Sequence, residues 1–214
     1  RQFVHALFKA AWQAAGGSWD GRTRIERGAS RGEPWVVWVS PRTLVDVVQD
    51  INKFSNNVMT RQLMLQLAAE AGMQPATTAD ARRVMWGWLA AQGLQFPDLV
   101  LDNGSGLSRD ARTSAAHLAQ LLRHAAAGPH ADVLRESLPR VGFDGTMKGR
   151  LVGEPVAGQA WIKTGSLEGV RSIAGYVMAA SGRRYAVALI VNAPGAAGSR
   201  ALQDEFLRWV HANG

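Results

Sequence analysis

The sequence predicts an α+β fold, and two observations carry that prediction. Up to Gly128 the apolar residues recur three or four apart in successive stretches, which is the spacing of amphipathic helices. After Gln159, three runs rich in branched and aromatic residues follow one another at hairpin distance, and a last amphipathic stretch closes the chain.

Gln2 to Ala15 reads as an opening helix, with Phe3, Leu7, Phe8, Ala11 and Ala15 on one face and Gly16-Gly17 as its stop. Trp19 to Gly32 is turn-rich and basic. Trp35-Val36-Val37-Trp38-Val39 is β-branched and aromatic throughout, as expected of a strand buried on both faces. Ser40-Pro41 then starts a helix: the serine can cap free amides, and proline sits where its missing N–H costs nothing. Leu44, Val47, Val48 and Ile51 mark its buried side. Ser55-Asn56-Asn57 opens the next helix, through Met59, Leu63 and Leu67 to Gly72, with Ser55 suited to the N-cap. A third helix spans about Ala79 to Gln92 and ends at Gly93.

Leu99-Val100-Leu101 reads as a short strand or extended segment. Asn103 to Arg109 is a glycine-punctuated loop, and Thr113 caps a helix running to Gly128. The last third changes character. Gln159 to Lys163, Val170 to Ala179 and Tyr185 to Asn192 form an antiparallel meander, with Ser181-Gly182 making the second turn. The final helix, Ser199 to Ala212, carries Leu202, Phe206, Leu207 and Val210 on the side that would cover this sheet. No repeat, low-complexity tract or linker divides the chain.

With 214 residues, 47% of them hydrophobic, there is material for one full-sized core or for most of a larger one. No apolar run reaches the length of a membrane span, and the opening residues form an amphipathic helix instead of a signal sequence. The chain is therefore expected to be soluble, with any targeting segment absent or removed. The absence of cysteine excludes a disulfide framework and a thiolate metal site but leaves the compartment open. The net charge of +7 comes from arginines scattered along the chain, not from the clustered basic face that nucleic-acid binding would require.

Several chemistries lack their signatures. The five histidines show no His-Glu-x-x-His and no carboxylate at ligand spacing, so no metal or other cofactor is implied. The one Gly-x-Ser-x-Gly string, Gly28 to Gly32, falls in the basic turn-rich stretch with no strand before it and no helix after it, so it is not a nucleophile elbow, and the glycine loop lacks the Gly-Lys-Ser/Thr of a phosphate loop. What stands out is Ala160-Trp161-Ile162-Lys163-Thr164-Gly165-Ser166, a lone lysine at the end of an apolar run beside a small-residue backbone. That is either anion-binding geometry on a strand edge or a lysine snorkelling at a hairpin. About a hundred residues earlier stands Ser55-x-Asn57.

The surroundings of these two sites form a pattern. They comprise Ile51-Asn-Lys-Phe-Ser-Asn-Asn-Val-Met59, Asn103-Gly-Ser-Gly-Leu-Ser-Arg109, Asp144-Gly-Thr-Met-Lys-Gly-Arg-Leu151, Ile162-Lys-Thr-Gly-Ser-Leu167 and Ile173-Ala-Gly-Tyr176. Together they resemble the class C low-molecular-mass penicillin-binding proteins, serine D-alanyl-D-alanine carboxypeptidase/endopeptidases that trim peptidoglycan. The resemblance runs through nearly the whole chain. It implies a serine β-lactamase/DD-peptidase-like (penicillin-binding transpeptidase-like) domain. Three motifs mark that superfamily, Ser-x-x-Lys, Ser-x-Asn and Lys-Thr-Gly. None of the four lysines (Lys9, Lys53, Lys148, Lys163) has a serine, threonine or cysteine three residues before it, so the nucleophile motif is missing from this chain. The expectation is that residues 1–214 are the C-terminal part of one penicillin-binding domain, without the N-terminal Ser-x-x-Lys segment and the inserted domain.

The resemblance further implies acyl transfer through an acyl-serine, with this chain alone inactive. Lys163 would hold the terminal carboxylate of a D-Ala-D-Ala stem peptide, helped by the Thr164 hydroxyl, with Gly165 giving close backbone approach. The Ser166 N–H would be one oxyanion donor. Ser55 would relay a proton to the leaving amine, and Asn57 would orient the absent motif's lysine and the substrate amide. The glycine loop would shape the site wall. Implied partners are peptidoglycan stem peptides, β-lactams and the missing N-terminal segment, in the periplasm. A non-catalytic module that keeps the fold and binds peptidoglycan or a partner is the alternative.

Overall fold

The computed structural model describes residues 2–21, 33 and 36–214, which fall in two compact units, Arg1–Trp38 and Val39–Gly214. The first unit holds helix α1, Gln2–Ala14. Gly16, at a positive φ of 86°, ends it as expected, its N–H donating to the Gln13 carbonyl at 3.0 Å. Most of the basic turn-rich stretch, and Trp35, lie outside the described residues. Val36 to Val39 do not form the buried strand that their composition predicts: they are exposed and pair with no strand among the described residues. Branched and aromatic residues favour extended backbone, but a strand exists only where another strand takes its hydrogen bonds.

In the second unit, α2 (Leu44–Phe54) starts later than Ser40-Pro41 suggests. Thr43 and Asp46 form a reciprocal capping box: the Thr43 N–H donates to Asp46 Oδ2 at 2.8 Å, and Thr43 Oγ1 accepts from the Asp46 N–H at 3.3 Å. Ser40 only accepts from the Arg42 N–H. Next come α3 (Asn57–Glu70), α4 (Thr78–Ala91, capped by Thr77), α5 (Ala115–Ala126) and the short α6 (Ala131–Ser137), which the apolar spacing does not announce. Ser114, not Thr113, caps α5, accepting from the His117 N–H. Val100 makes an isolated bridge to Arg112, so the Leu99 to Leu101 segment is extended. The loop that follows has Gly104 and Gly106 at positive φ.

The sheet has the order β1-β2-β3, with β1 Ala160–Leu167, β2 Val170–Met178 and β3 Arg184–Asn192, all antiparallel. β1 runs four residues past its expected end, so Lys163 to Ser166 lie inside the ladder, paired with Ala174 to Arg171. Strand alternation puts Ile162, Ile173, Val177 and Val187 on one face. There they are buried with Leu207 and Val210 of α7 (Arg200–Asn213), the helix predicted to cover the sheet. Each such side chain stabilises the fold by roughly 1.5–3 kcal/mol relative to exposure. The opposite face buries Trp161 and Tyr176 against Leu138 and α5, and the Tyr176 hydroxyl donates to the Leu122 carbonyl at 2.7 Å. The fold is α+β.

Candidate active site

Strand alternation decides where the Lys163 stretch can act. Lys163 and Gly165 point to the α5 face, and Thr164 and Ser166 to the α7 face. β1 is also an edge strand. Its first residues are covered, because the Ile162 N–H donates to the Pro139 carbonyl at 2.7 Å. The Ile162 N–H therefore points away from β2, and the two-residue period turns the N–H groups of Thr164 and Ser166 the same way, along an edge with no further strand among the described residues. An outward N–H at Ser166 is the orientation an oxyanion donor requires.

Lys163 Nζ donates to Ser55 Oγ at 2.6 Å and to the Thr164 carbonyl at 2.9 Å. It is half-buried, no carboxylate within the described residues pairs with it, and burial lowers its pKa from the usual lysine value. Ser55 is not the N-cap of α3. It is the C-cap of α2, in the left-handed conformation with φ 54° and ψ 47°, and Asn56 caps α3 by accepting from the Met59 N–H. That left-handed turn joins two helices through only two residues, Ser55 and Asn56, and directs the Ser55 hydroxyl at the strand. Non-glycine residues occupy this region at a cost of about 1–3 kcal/mol, and such strain concentrates at functional sites. Asn57, first residue of α3, is half-buried, and its side chain makes no hydrogen bond within the described residues.

Thr164 Oγ1 donates to Thr146 Oγ1 at 2.9 Å. Thr146 belongs to the Asp144–Leu151 stretch, whose 3₁₀ turn (Gly145–Met147) places it beside β1. Gly165 lies close to the paired strand, where an added Cβ would run into Ser172 Oγ unless that side chain turned aside. The glycine loop reaches the β1–β2 turn: Arg109 Nη1 donates to the Glu168 carbonyl at 2.8 Å. Thus Ser55 and Lys163 meet directly, Thr164 to Ser166 border them on an open edge, and Asn57 stands two residues from the contact.

Two supports were not legible from spacing. Buried Lys53 donates to Asp144 Oδ2 at 2.6 Å and to the Leu138 carbonyl at 3.3 Å. It ties the end of α2, two residues before Ser55, to the turn that carries Thr146. The signal for Lys53 is faint: a lysine two residues before the Ser-x-Asn element in a helix with an apolar stripe. Arg150 forms two bonds to Asp204, at 2.9 and 2.6 Å, fastening the same turn to α7.

The model of the D-Ala-D-Ala carboxypeptidase 3 (S13) family matches residues 1–213. The chain belongs to this family. Among curated S13-like relatives, D-alanyl-D-alanine carboxypeptidase DacB of Haemophilus influenzae is 30% identical over 153 residues, covering 71% of this chain and 32% of the relative. A D-alanyl-D-alanine carboxypeptidase of Actinomadura sp. is 32% identical over 167 residues, covering 75% and 30%. The crystal structure of penicillin binding protein 4 (dacB) from Haemophilus influenzae, complexed with a β-lactam, superposes with a TM-score of 0.80 at 25% identity. It matches 95% of this chain and 50% of that one. The chain spans about a third of the length of these curated relatives. Family membership agrees with the resemblance drawn from the motifs.

Proposed function

We propose that these residues form the carboxylate-binding and proton-relay half of a serine D-alanyl-D-alanine carboxypeptidase/endopeptidase site that acts on peptidoglycan stem peptides in the periplasm. The observation that carries this reading is the 2.6 Å contact between Lys163 Nζ and Ser55 Oγ. An ammonium only donates, so Ser55 Oγ accepts from it and the Ser55 proton is free for a leaving amine. Lys163 supplies positive charge, the Thr164 hydroxyl and open edge take the terminal carboxylate, and the Ser166 N–H faces the developing oxyanion. Asn57, with its amide uncommitted, orients the substrate amide and the lysine of the nucleophile motif. The relatives' names and the β-lactam held by the Haemophilus influenzae neighbour support this chemistry.

The acylated serine of this reading lies outside residues 1–214, because no lysine here follows a serine at Ser-x-x-Lys spacing. In this reading residues 1–214 are the C-terminal part of one penicillin-binding domain.

Fluorescent penicillin should leave the 214-residue chain unlabelled and should label the full-length gene product at a Ser-x-x-Lys serine outside this region. That product should also release D-alanine from a stem pentapeptide. A labelled 214-residue chain overturns the assignment of the nucleophile. A full-length product that binds peptidoglycan but neither acylates nor releases D-alanine replaces this reading with that of a non-catalytic module.

A further inference from the structure

On the α7 face, a cavity of about 280 Å³ opens beyond Thr164. Ser55, Asn57 and Lys163 do not line it. Its walls include the hydroxyl-bearing Thr146, Thr164 and Ser166 and the three arginines Arg150, Arg171 and Arg200, with Arg171 the direct cross-strand neighbour of Ser166. The three guanidiniums are not equivalent. Arg150 is neutralised by its two bonds to Asp204. Arg171 uses only Nη1, on the Leu167 and Val170 carbonyls at 2.7 and 2.9 Å, and Arg200 makes one long contact, 3.5 Å, to the Gly149 carbonyl. Among the described residues neither has a carboxylate within ion-pair distance. Two uncompensated, fork-shaped cations therefore line one small cavity together with hydroxyls, a combination suited to a carboxylate.

We propose that Arg171 and Arg200 form a second anion subsite, which selects leaving groups carrying a carboxylate beyond the one held at Thr164. This rests on the acyl-transfer reading above, because it places the α-carboxylate of the leaving residue at Thr164 and its side chain in the cavity. A terminal D-alanine offers only a methyl group there. A leaving residue whose side chain is acidic offers the charge that the two arginines lack. The subsite thus favours leaving residues with an acidic side chain over D-alanine.

The test uses the full-length gene product and three matched substrates, N-acyl-D-Ala-D-Ala, N-acyl-D-Ala-D-Glu and N-acyl-D-Ala-D-Gln. The D-Glu peptide should be preferred over the D-Gln peptide, and Arg171→Ala or Arg200→Ala should lower kcat/KM for D-Glu about ten-fold more than for D-Ala. Arg200→Glu should invert the preference toward a D-Lys leaving group, which a merely misfolded variant would not do. Equal losses on D-Ala and D-Glu peptides would overturn the proposal by showing that the arginines hold the shared α-carboxylate. Equal rates for D-Glu and D-Gln in the unsubstituted protein would overturn it as well. If no peptide is turned over and penicillin does not acylate the protein, the acyl-transfer reading itself has failed.

Discussion

Lys163 Nζ donates to Ser55 Oγ at 2.6 Å across 108 residues of sequence, and Ser55 presents that oxygen from a left-handed backbone. Strain and hydrogen bond can be separated by two variants that both delete the hydroxyl. Ser55→Gly accepts the φ of 54° freely whereas Ser55→Ala does not, so the glycine variant should be the more stable of the two by about 1 kcal/mol in urea denaturation. In the full-length product both should lose about 10²–10⁴-fold in the proposed D-alanine release. Equal stabilities would show that the left-handed turn is unstrained, and undiminished turnover would remove Ser55 from the proton path.

Burial lowers the Lys163 pKa, and the consequence for stability has a definite sign. Below the folded-state pKa the lysine is charged in both states, and folding bears the full desolvation cost. Between that pKa and the ordinary lysine value of 10.5 the unfolded chain binds more protons, so stability contributed at this site rises with pH. Against a Lys163→Met reference, the stability difference should therefore shift in favour of the unsubstituted chain on going from neutral pH toward 10.5. A flat difference would refute the burial effect. Binding of an anionic stem peptide should weaken over the same range, earlier than an ordinary surface lysine would dictate.

What the sequence disclosed and what it withheld follow a physical division. Periodicity located α1 through α5, the three strands and α7, because burial of one face is written into local spacing. It misplaces the cap of α2 by three residues and that of α5 by one, since several Ser and Thr candidates stand in line and only geometry chooses among them. Ser55 was assigned to the wrong side of its helix boundary, because a left-handed non-glycine residue leaves no compositional mark. Val36 to Val39 failed because propensity does not encode a pairing partner. Ser55 and Lys163 were paired through motif resemblance alone, and no local rule reaches across the intervening chain. Buried Lys53 was invisible for a related reason: lysine is ordinarily read as solvated, and its partner Asp144 lies 91 residues away.

Two glycines of the β1–β2 hairpin should respond differently to alanine. At Gly165 the added Cβ meets Ser172 Oγ, the rotatable end of a side chain, so Gly165→Ala should cost no more than about 1–3 kcal/mol and be largely rescued by Ser172→Ala. At Gly175 the added Cβ meets the Trp161 carbonyl, a backbone atom held in the ladder, which cannot turn aside. Gly175→Ala should thus be the more damaging change, with loss of near-ultraviolet circular dichroism from Trp161 as the strands separate. Comparable melting curves for the two variants would contradict this ranking.

The Lys53–Asp144 pair should prove to be a positioning device with unequal partners. Lys53 keeps only 10% of its side chain exposed and Asp144 keeps 41%, so removing the carboxylate strands a buried ammonium whereas removing the lysine leaves a carboxylate that water can reach. Asp144 Oδ1 also accepts from the Arg140 N–H at 2.8 Å, which Asp144→Ala forfeits. Asp144→Ala should therefore cost about 3–5 kcal/mol and Lys53→Met clearly less. In a double-mutant cycle, Lys53→Met with Asp144→Ala should be more stable than Asp144→Ala alone, because the unpaired buried charge has gone. The pair also joins the segment before Ser55 to the turn that carries Thr146, so the double variant should still lose penicillin acylation in the full-length product while its stability partly recovers. A double variant that acylates normally would show that the ion pair only stabilises the fold and does not set the distance between Ser55 and β1.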